Sequence, residues 1–301
     1  MTLPTLMLVG PTAAGKTGVA HILAERHGLD LISADAMMVY RGMDIGTAKP
    51  TRAERERFDY SGLDLAEPDQ SFSAHDYLRE VSAQSTGNDR AVVGGTGLYV
   101  RALLKGLDAA AGSDPAWREE AETCLRNEGF EVLQQRCRER CPTIDKDLPE
   151  GDRGNPRRWI RWVERAGAEG ATAPALIPGE ACSVIGLRRD KDDLQNRIIQ
   201  RVDAMFALGL VDEVTALKNR FEHFSMTAEK AIGYAEVSAM LQGEMSRDEA
   251  RERMVIRTRQ YAKRQMTWFR HQLDVHWIDA APGDDDEALA SRVEKVWRTH
   301  G

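Results

Sequence analysis

The stretch "LMLVGPTAAGKTGVA", residues 6–20, decides the fold. An apolar run of strand length stops at a glycine, and a helix-forming run follows. Its centre, Gly10-x-x-x-x-Gly15-Lys16-Thr17, fits the pattern G-x-x-x-x-G-K-[ST]. Backbone N–H groups of such a turn, with those of the helix N-terminus, point at phosphate oxygens. Gly10, Pro11, Thr12, Ala13, Ala14 and Gly15 are therefore expected to wrap a di- or triphosphate. Lys16 adds a point charge, and the Thr17 hydroxyl is the expected Mg2+ ligand. The helix behind the turn is expected over 13–27. The motif leaves open whether the phosphate is transferred, hydrolysed or used as a handle on something else.

Outward from this turn the same punctuation recurs. "LDLISAD" (29–35) reads as a second strand with Asp35 at its carboxyl end. "RAVVGGTGLYVRALL" reads as a strand near 91–93, a glycine turn around Thr96 and a helix from about Leu98. Repeated strand–turn–helix units predict an α/β fold, a P-loop NTPase-like parallel sheet flanked by helices. Ligands of such sheets gather at the carboxyl ends of the strands, where Lys16, Thr17, Asp35 and Thr96 converge. Two parts are expected: a catalytic core over 1–110 and 181–301, and a mostly helical insertion over 111–180. The stretch 167–180 is rich in small residues, Pro and Gly and reads as a return loop. Ser246 and Glu249 predict a capping box at the start of the last long helix, and "VHWID" (275–279) a returning strand.

Composition excludes other classes. Of the 301 residues, 42% are hydrophobic and 30% charged, an ordinary globular balance. No apolar run approaches the roughly 20 residues of a membrane span, and no signal-peptide pattern opens the chain. Four cysteines without a C-x-x-C pair read as reduced thiols rather than a zinc site, so a cytoplasmic protein is expected. The net charge of −7 argues against general affinity for polyanions, yet residues 251–271 hold seven Lys/Arg against one Glu. Both "NPRRWIRWVER" (155–165) and this strip interleave Arg with Trp, a combination suited to phosphates and unpaired bases. A solvated charged face with buried tryptophans is the other reading of each segment.

Taken together, "GPTAAGKT", "ISADAMMVYRGMDIGTAKP", "VVGGTGLYVRALLKGL", "RIIQRVDAMFALGLVDEV", "AIGYAEV" and "TRQYAKRQMTWFR" resemble the tRNA dimethylallyltransferase (isopentenyltransferase) family, in order and over most of the chain. The resemblance implies transfer of a dimethylallyl group from dimethylallyl diphosphate to N6 of an adenine beside the tRNA anticodon. The P-loop then becomes a diphosphate clamp, with Arg197 and Arg201 as further diphosphate contacts and Mg2+ as cofactor. It assigns Asp35 to the attacking amine and Thr96 to the substrate, and places Met37, Met38 and Val39 along the passage where base and prenyl group meet. It also implies tRNA contacts from Asp35, Ala36, Met37 and Met38; from Arg157, Arg158, Trp159, Ile160 and Arg161; from Glu229, Lys230, Ala231, Ile232, Gly233 and Tyr234; and from Lys263, Arg264, Gln265, Met266, Thr267, Trp268, Phe269 and Arg270. The expected partner is the anticodon stem-loop, met by a monomer. Ala36, Met38, Ala235 and "DYSGLDL" (59–65) depart from the family's usual residues. Prenylation of free adenine nucleotides, a nucleotide kinase and a non-catalytic RNA-binding module are the alternatives. The last leaves Lys16, Thr17, Asp35 and Thr96 without a purpose.

Overall fold

The structure, a computed structural model, describes residues 5–84, 89–107, 114–166, 174–177 and 182–299. The elements run β1 (Thr5–Val9), α1 (Lys16–His27), β2 (Asp30–Ala34), α2 (Arg52–Arg57), β3 (Tyr60–Ser61), α3 (Ala74–Gln84), β4 (Arg90–Gly94) and α4 (Gly97–Lys105). Four helices follow: α5 (Pro115–Asn127), α6 (Phe130–Arg140), α7 (Ile144–Asp147) and α8 (Pro156–Ala166). The chain then forms β5 (Cys182–Arg189), α9 (Lys191–Ala207), α10 (Leu210–Arg220), α11 (Tyr234–Leu241), α12 (Arg247–Gln272), β6 (His276–Ala280) and α13 (Asp286–Thr299).

All six strands pair in parallel, in the order β3-β2-β4-β1-β5-β6. β1 is central, and after Thr5 every residue of "TLMLV" is buried, as a strand covered on both faces requires. On one face Leu6, Leu8, Leu31, Ile185 and Leu187 pack with Val19 and Leu23 of α1 and Leu289, Val293 and Trp297 of α13. Because the strands are parallel, the chain leaves β1, β2, β4 and β5 at one edge of the sheet. That edge receives the P-loop, Asp35, Thr96 and Arg189.

Helix α1 begins at Lys16, three residues later than the sequence suggests. Ala13 and Gly15 both take positive φ (64° and 96°), so residues 12–15 belong to the turn. The predicted capping box at α12 is present, with Ser246 accepting from Glu249 N–H and Glu249 accepting from Ser246 N–H. The terminal strand also forms, over His276–Ala280.

Two compact units divide the chain: 1–105 with 176–301, and 106–175. The smaller is helical, built on Trp117, Leu133, Cys137, Trp159 and Ile160, with Arg118 paired to the buried Glu164 at 2.6 Å. The return segment 167–180 falls outside the described residues except for 174–177. Among the described residues, no helix is long and apolar enough to cross a membrane.

Candidate active site

The P-loop hangs between β1 and α1 with no room to spare. A Cβ on Gly10 would lie 2.4 Å from the Leu187 carbonyl oxygen of β5, and its φ of 140° is open only to glycine. Behind the loop, Arg189 is fully withdrawn from solvent. Its Nε donates to the Ala14 carbonyl at 3.0 Å and its Nη1 to Asp193 at 2.8 Å. Asp193 also pairs with Arg197 at 3.5 Å, so the first turns of α9 are tied to the back of the phosphate turn.

In front, Lys16 Nζ donates to the Pro11 carbonyl at 2.7 Å. Its ammonium is pushed down to about 8, first by loss of water and then by the positive charge of Arg201, while Asp35 opposes both. Arg201 is lowered by desolvation too, again opposed by Asp35, and donates to the Thr47 carbonyl at 3.0 Å. Two half-buried cations thus share a space with one carboxylate. An anion arriving there relieves their mutual repulsion without having to strip much water. Thr17, one residue on, is exposed at the mouth of the turn.

Asp35 follows β2 directly, and its Oδ1 accepts the Met37 N–H at 2.9 Å. Thr96 brackets it: Thr96 N–H donates to the Ala34 carbonyl at 3.0 Å, and Thr96 Oγ1 accepts the Ala36 N–H at 2.9 Å. Tyr77, Tyr99 and Tyr261 lie within the field of Asp35, and all three phenols are raised, burial being the main cause. Tyr77 and Tyr99 stack at 3.8 Å, and Tyr77 donates to the Ser33 carbonyl at 2.8 Å. The structure therefore brings together the P-loop, Asp35, Thr96 and Arg201, and links Arg197 to them through Asp193 and Arg189.

Several expected contacts turn inward instead. Trp159 and Ile160 are 1% and 4% exposed, and Trp159 Nε1 donates to the Arg153 carbonyl at 2.8 Å. These side chains form the core of the helical unit rather than a stacking platform. Arg157 and Arg158 are exposed on the same helix, with Arg158 3.4 Å from Asp152, and Arg161 reaches Glu164 at 3.0 Å. Ala231, Gly233 and Tyr234 are also buried, whereas Glu229 and Lys230 are exposed and Ile232 is half-buried. Val39 is fully buried and lines no open passage. Met37 and Met38 remain half-buried beside Asp35, the Met38 sulfur accepting from Ser33 Oγ at 3.6 Å.

Helix α12 has two jobs on two faces. Gln265 and Phe269 are buried, and Trp268 packs so closely on α4 that a Cβ on Gly97 would lie 2.1 Å from its ring. Lys263, Arg264, Thr267 and Arg270 are exposed and Met266 is half-buried. Arg257 leaves the cationic face to pair with Glu236 and to donate to the Lys230 carbonyl. Arg253, Arg259, Lys263 and Arg270 form no salt bridge among the described residues. Most other arginines among the described residues are in ion pairs, so this row of cations has charge available for an anionic partner.

Three further residues shape the site, two of them, Glu213 and Lys49, within quoted motifs but given no role by the sequence. Glu213 of α10 accepts the N–H groups of Asp44 (3.1 Å), Ile45 (2.8 Å) and Gly46 (3.3 Å) and the Tyr234 hydroxyl (2.5 Å). Lys49, fully buried, binds Asp44 at 2.6 Å and Asp64 at 2.7 Å. Much of "RGMDIGTAKP" is thus a pinned loop beside Asp35. Arg189 is the third, signalled in sequence only by its place at a strand end.

Comparison with known proteins shows the family to which the chain belongs. A family model described as IPP transferase matches residues 38–272, and one described as isopentenyl transferase matches 4–63. The chain is 40% identical over 286 residues to a tRNA dimethylallyltransferase of Geobacter sulfurreducens, covering 91% of each chain. It is 40% identical over 301 residues to one of Anaeromyxobacter dehalogenans, covering 96% of each. Among solved structures, the full-length tRNA isopentenylpyrophosphate transferase of Bacillus halodurans superposes with a TM-score of 0.68 at 32% identity, over 99% of this chain and 97% of that one. With a family model spanning most of its length and such relatives end to end, the chain belongs to the IPP transferase family.

Proposed function

We infer that this protein transfers a dimethylallyl group from dimethylallyl diphosphate to N6 of the adenine beside the anticodon of a tRNA, releasing pyrophosphate. One observation carries the reading. Lys16 and Arg201 share a desolvated space with Asp35, so a diphosphate and a hydrogen-bonding base have adjacent sites. The P-loop N–H groups, Lys16 and Arg201 hold the diphosphate and take up charge as it departs. Asp35 accepts a hydrogen bond from the exocyclic amine, a weak nucleophile because its lone pair is delocalised into the ring. As the N6–C1 bond forms and the C1–O bond breaks, the amine's proton passes to Asp35. Thr96 sets the position of that carboxylate.

Mg2+ fits these residues as a companion of the substrate. Among the described residues no cluster of three or more metal-ligating side chains occurs, and Mg2+ commonly takes one or two protein ligands with substrate phosphates and water. The exposed Thr17 hydroxyl is the residue that would hold it. Held there, Mg2+ would supply positive charge to offset that of the leaving diphosphate.

The exposed Arg157, Arg158, Lys230, Lys263 and Arg270 are the proposed tRNA contacts, with Glu229, Ile232, Met266 and Thr267 beside them. The target adenine leaves its stack to reach Asp35, as enzymes acting on a base require. A monomer is the proposed working unit. The test is incubation with labelled dimethylallyl diphosphate, Mg2+ and either tRNA or adenosine monophosphate. Label on tRNA is expected; label on the free nucleotide alone would overturn the reading in favour of small-molecule prenylation.

A further inference from the structure

We propose that Gln265 is the positioning residue of the diphosphate clamp, locking the P-loop at Thr12 to the glycine turn that carries Thr96. The inference rests on the diphosphate reading above and goes beyond it. Gln265 lies on the inward face of α12, 5% exposed, where an apolar side chain would be the ordinary occupant. Both ends of its amide are used. Oε1 accepts the Thr12 N–H at 2.8 Å, and Nε2 donates to the Gly95 carbonyl at 3.0 Å. Thr12 and Gly95 follow different strands, and the Gln265 side chain joins their backbones.

The contact is also close. A Cβ on Gly95 would lie 2.1 Å from Gln265 Nε2, so the glycine is what admits the amide. One turn earlier on α12, the Tyr261 phenol lies close to both Gln265 and Thr96, whose side chains partly offset the upward push of burial. The chain of contacts therefore runs from the Thr12 N–H through Gln265 to Gly95, and from the adjoining Thr96 to the Ala36 N–H beside Asp35. Gln265 touches neither reacting group in this arrangement. It sets the P-loop backbone, and with it the phosphate-facing N–H groups, in register with the carboxylate. Buried donors and acceptors left without partners are costly, so deleting the amide loosens Thr12 and Gly95 together.

The experiment compares wild type, Gln265→Met, Gly95→Ala, Gln265→Ala and the double variant Gln265→Ala/Gly95→Ala. Calorimetry reads pyrophosphate binding with Mg2+, filter binding reads tRNA, and steady-state kinetics read KM for each substrate. Gln265→Met is expected to weaken pyrophosphate about tenfold and raise KM for dimethylallyl diphosphate in parallel, the scale of a lost buried hydrogen bond. Its tRNA affinity should stay within about twofold, a split that a general loss of structure would not produce. Gly95→Ala should give the same phenotype by displacing the amide, and it should add little once Gln265 is alanine, because the two act through one contact. Unchanged pyrophosphate affinity in both Gln265→Met and Gly95→Ala, or an equal loss of tRNA affinity, would overturn the proposal. Failure of the wild type itself to bind pyrophosphate would instead remove the diphosphate reading on which it stands.

Discussion

Thr96 Oγ1 accepts the Ala36 N–H at 2.9 Å while Thr96 N–H donates to the Ala34 carbonyl at 3.0 Å, so one threonine grips both neighbours of Asp35. The carboxylate is placed by the turn after β4 as much as by its own strand. Thr96→Val keeps the shape and removes the acceptor. A shift of about 1 Å at a reacting group costs roughly 100-fold, so Thr96→Val should lower kcat by about 10- to 100-fold with Thr96→Ser close to wild type. Turnover of the two variants on tRNA checks this; equal activity would release Thr96 from the role.

Asp35→Asn retains size and the Met37 contact but loses the charge that accepts the amine proton. Pyrophosphate binding should persist, while turnover falls at least about 100-fold, the usual scale of a lost general base. Single-turnover kinetics with prebound diphosphate separate the two steps. Wild-type-like turnover would remove Asp35 from the chemistry.

Lys16 should make the proposed phosphate site pH-sensitive. Its folded value, about 8, lies below the unfolded 10.5, so between these values the unfolded chain binds more protons and stability rises with pH. Below about 8 the penalty of burying the ammonium is fully present. An arriving diphosphate favours the charged form, so binding near pH 9 should take up a proton, and affinity should fall as pH climbs above about 8. Calorimetry in buffers of different ionisation enthalpy measures the uptake, and Lys16→Met should abolish it.

Glu213 satisfies three consecutive backbone N–H groups at 44–46 as well as the Tyr234 hydroxyl. Glu213→Ala strands all four donors and should destabilise the fold by about 3 kcal/mol in urea melts, whereas Tyr234→Phe should cost about 1 kcal/mol. A loss in Glu213→Ala no greater than in Tyr234→Phe would show that the loop finds other partners.

The unpaired cations of α12 should report directly on RNA. Replacing Arg259, Lys263 and Arg270 with Gln removes up to three phosphate contacts, and the slope of log affinity against log salt should shrink by roughly 2 to 3. An unchanged slope would place the RNA on another face.

Much of this was legible in the chain itself. The apolar run into Gly10, the Lys16–Thr17 pair and the repeated strand–glycine–helix units already implied a parallel sheet with a phosphate site at its strand ends. Period and spacing are local properties, and parallel strands carry their turns to one edge by topology alone. Which side of a helix faces inward is different. The Arg/Trp segments leave open a base-stacking surface or a charged face over buried aromatics, and Trp159 and Phe269 fill cores, because burial depends on what packs against the helix. "QYAKRQMTWF" was recognisable as a motif, but its sequence does not say that Gln265 turns to the P-loop while Lys263 and Arg270 face water.

The sequence alone therefore determined the sheet and its glycine turn and set Lys16, Thr17, Asp35 and Thr96 at the strand ends, since strand period and turn spacing are local. Only the tertiary structure decided how those residues are set relative to one another. Arg189 behind Ala14, Arg201 beside Lys16, Thr96 around Asp35 and Gln265 between Thr12 and Gly95 join segments far apart in the chain. Their partners are chosen by packing across elements, and no local pattern records that choice. The glycines of "GPTAAGKT" and "GGTGLY" stand where both kinds of information meet: Gly10 leaves room for the Leu187 carbonyl and Gly95 for the Gln265 amide, contacts visible only once the chain is folded.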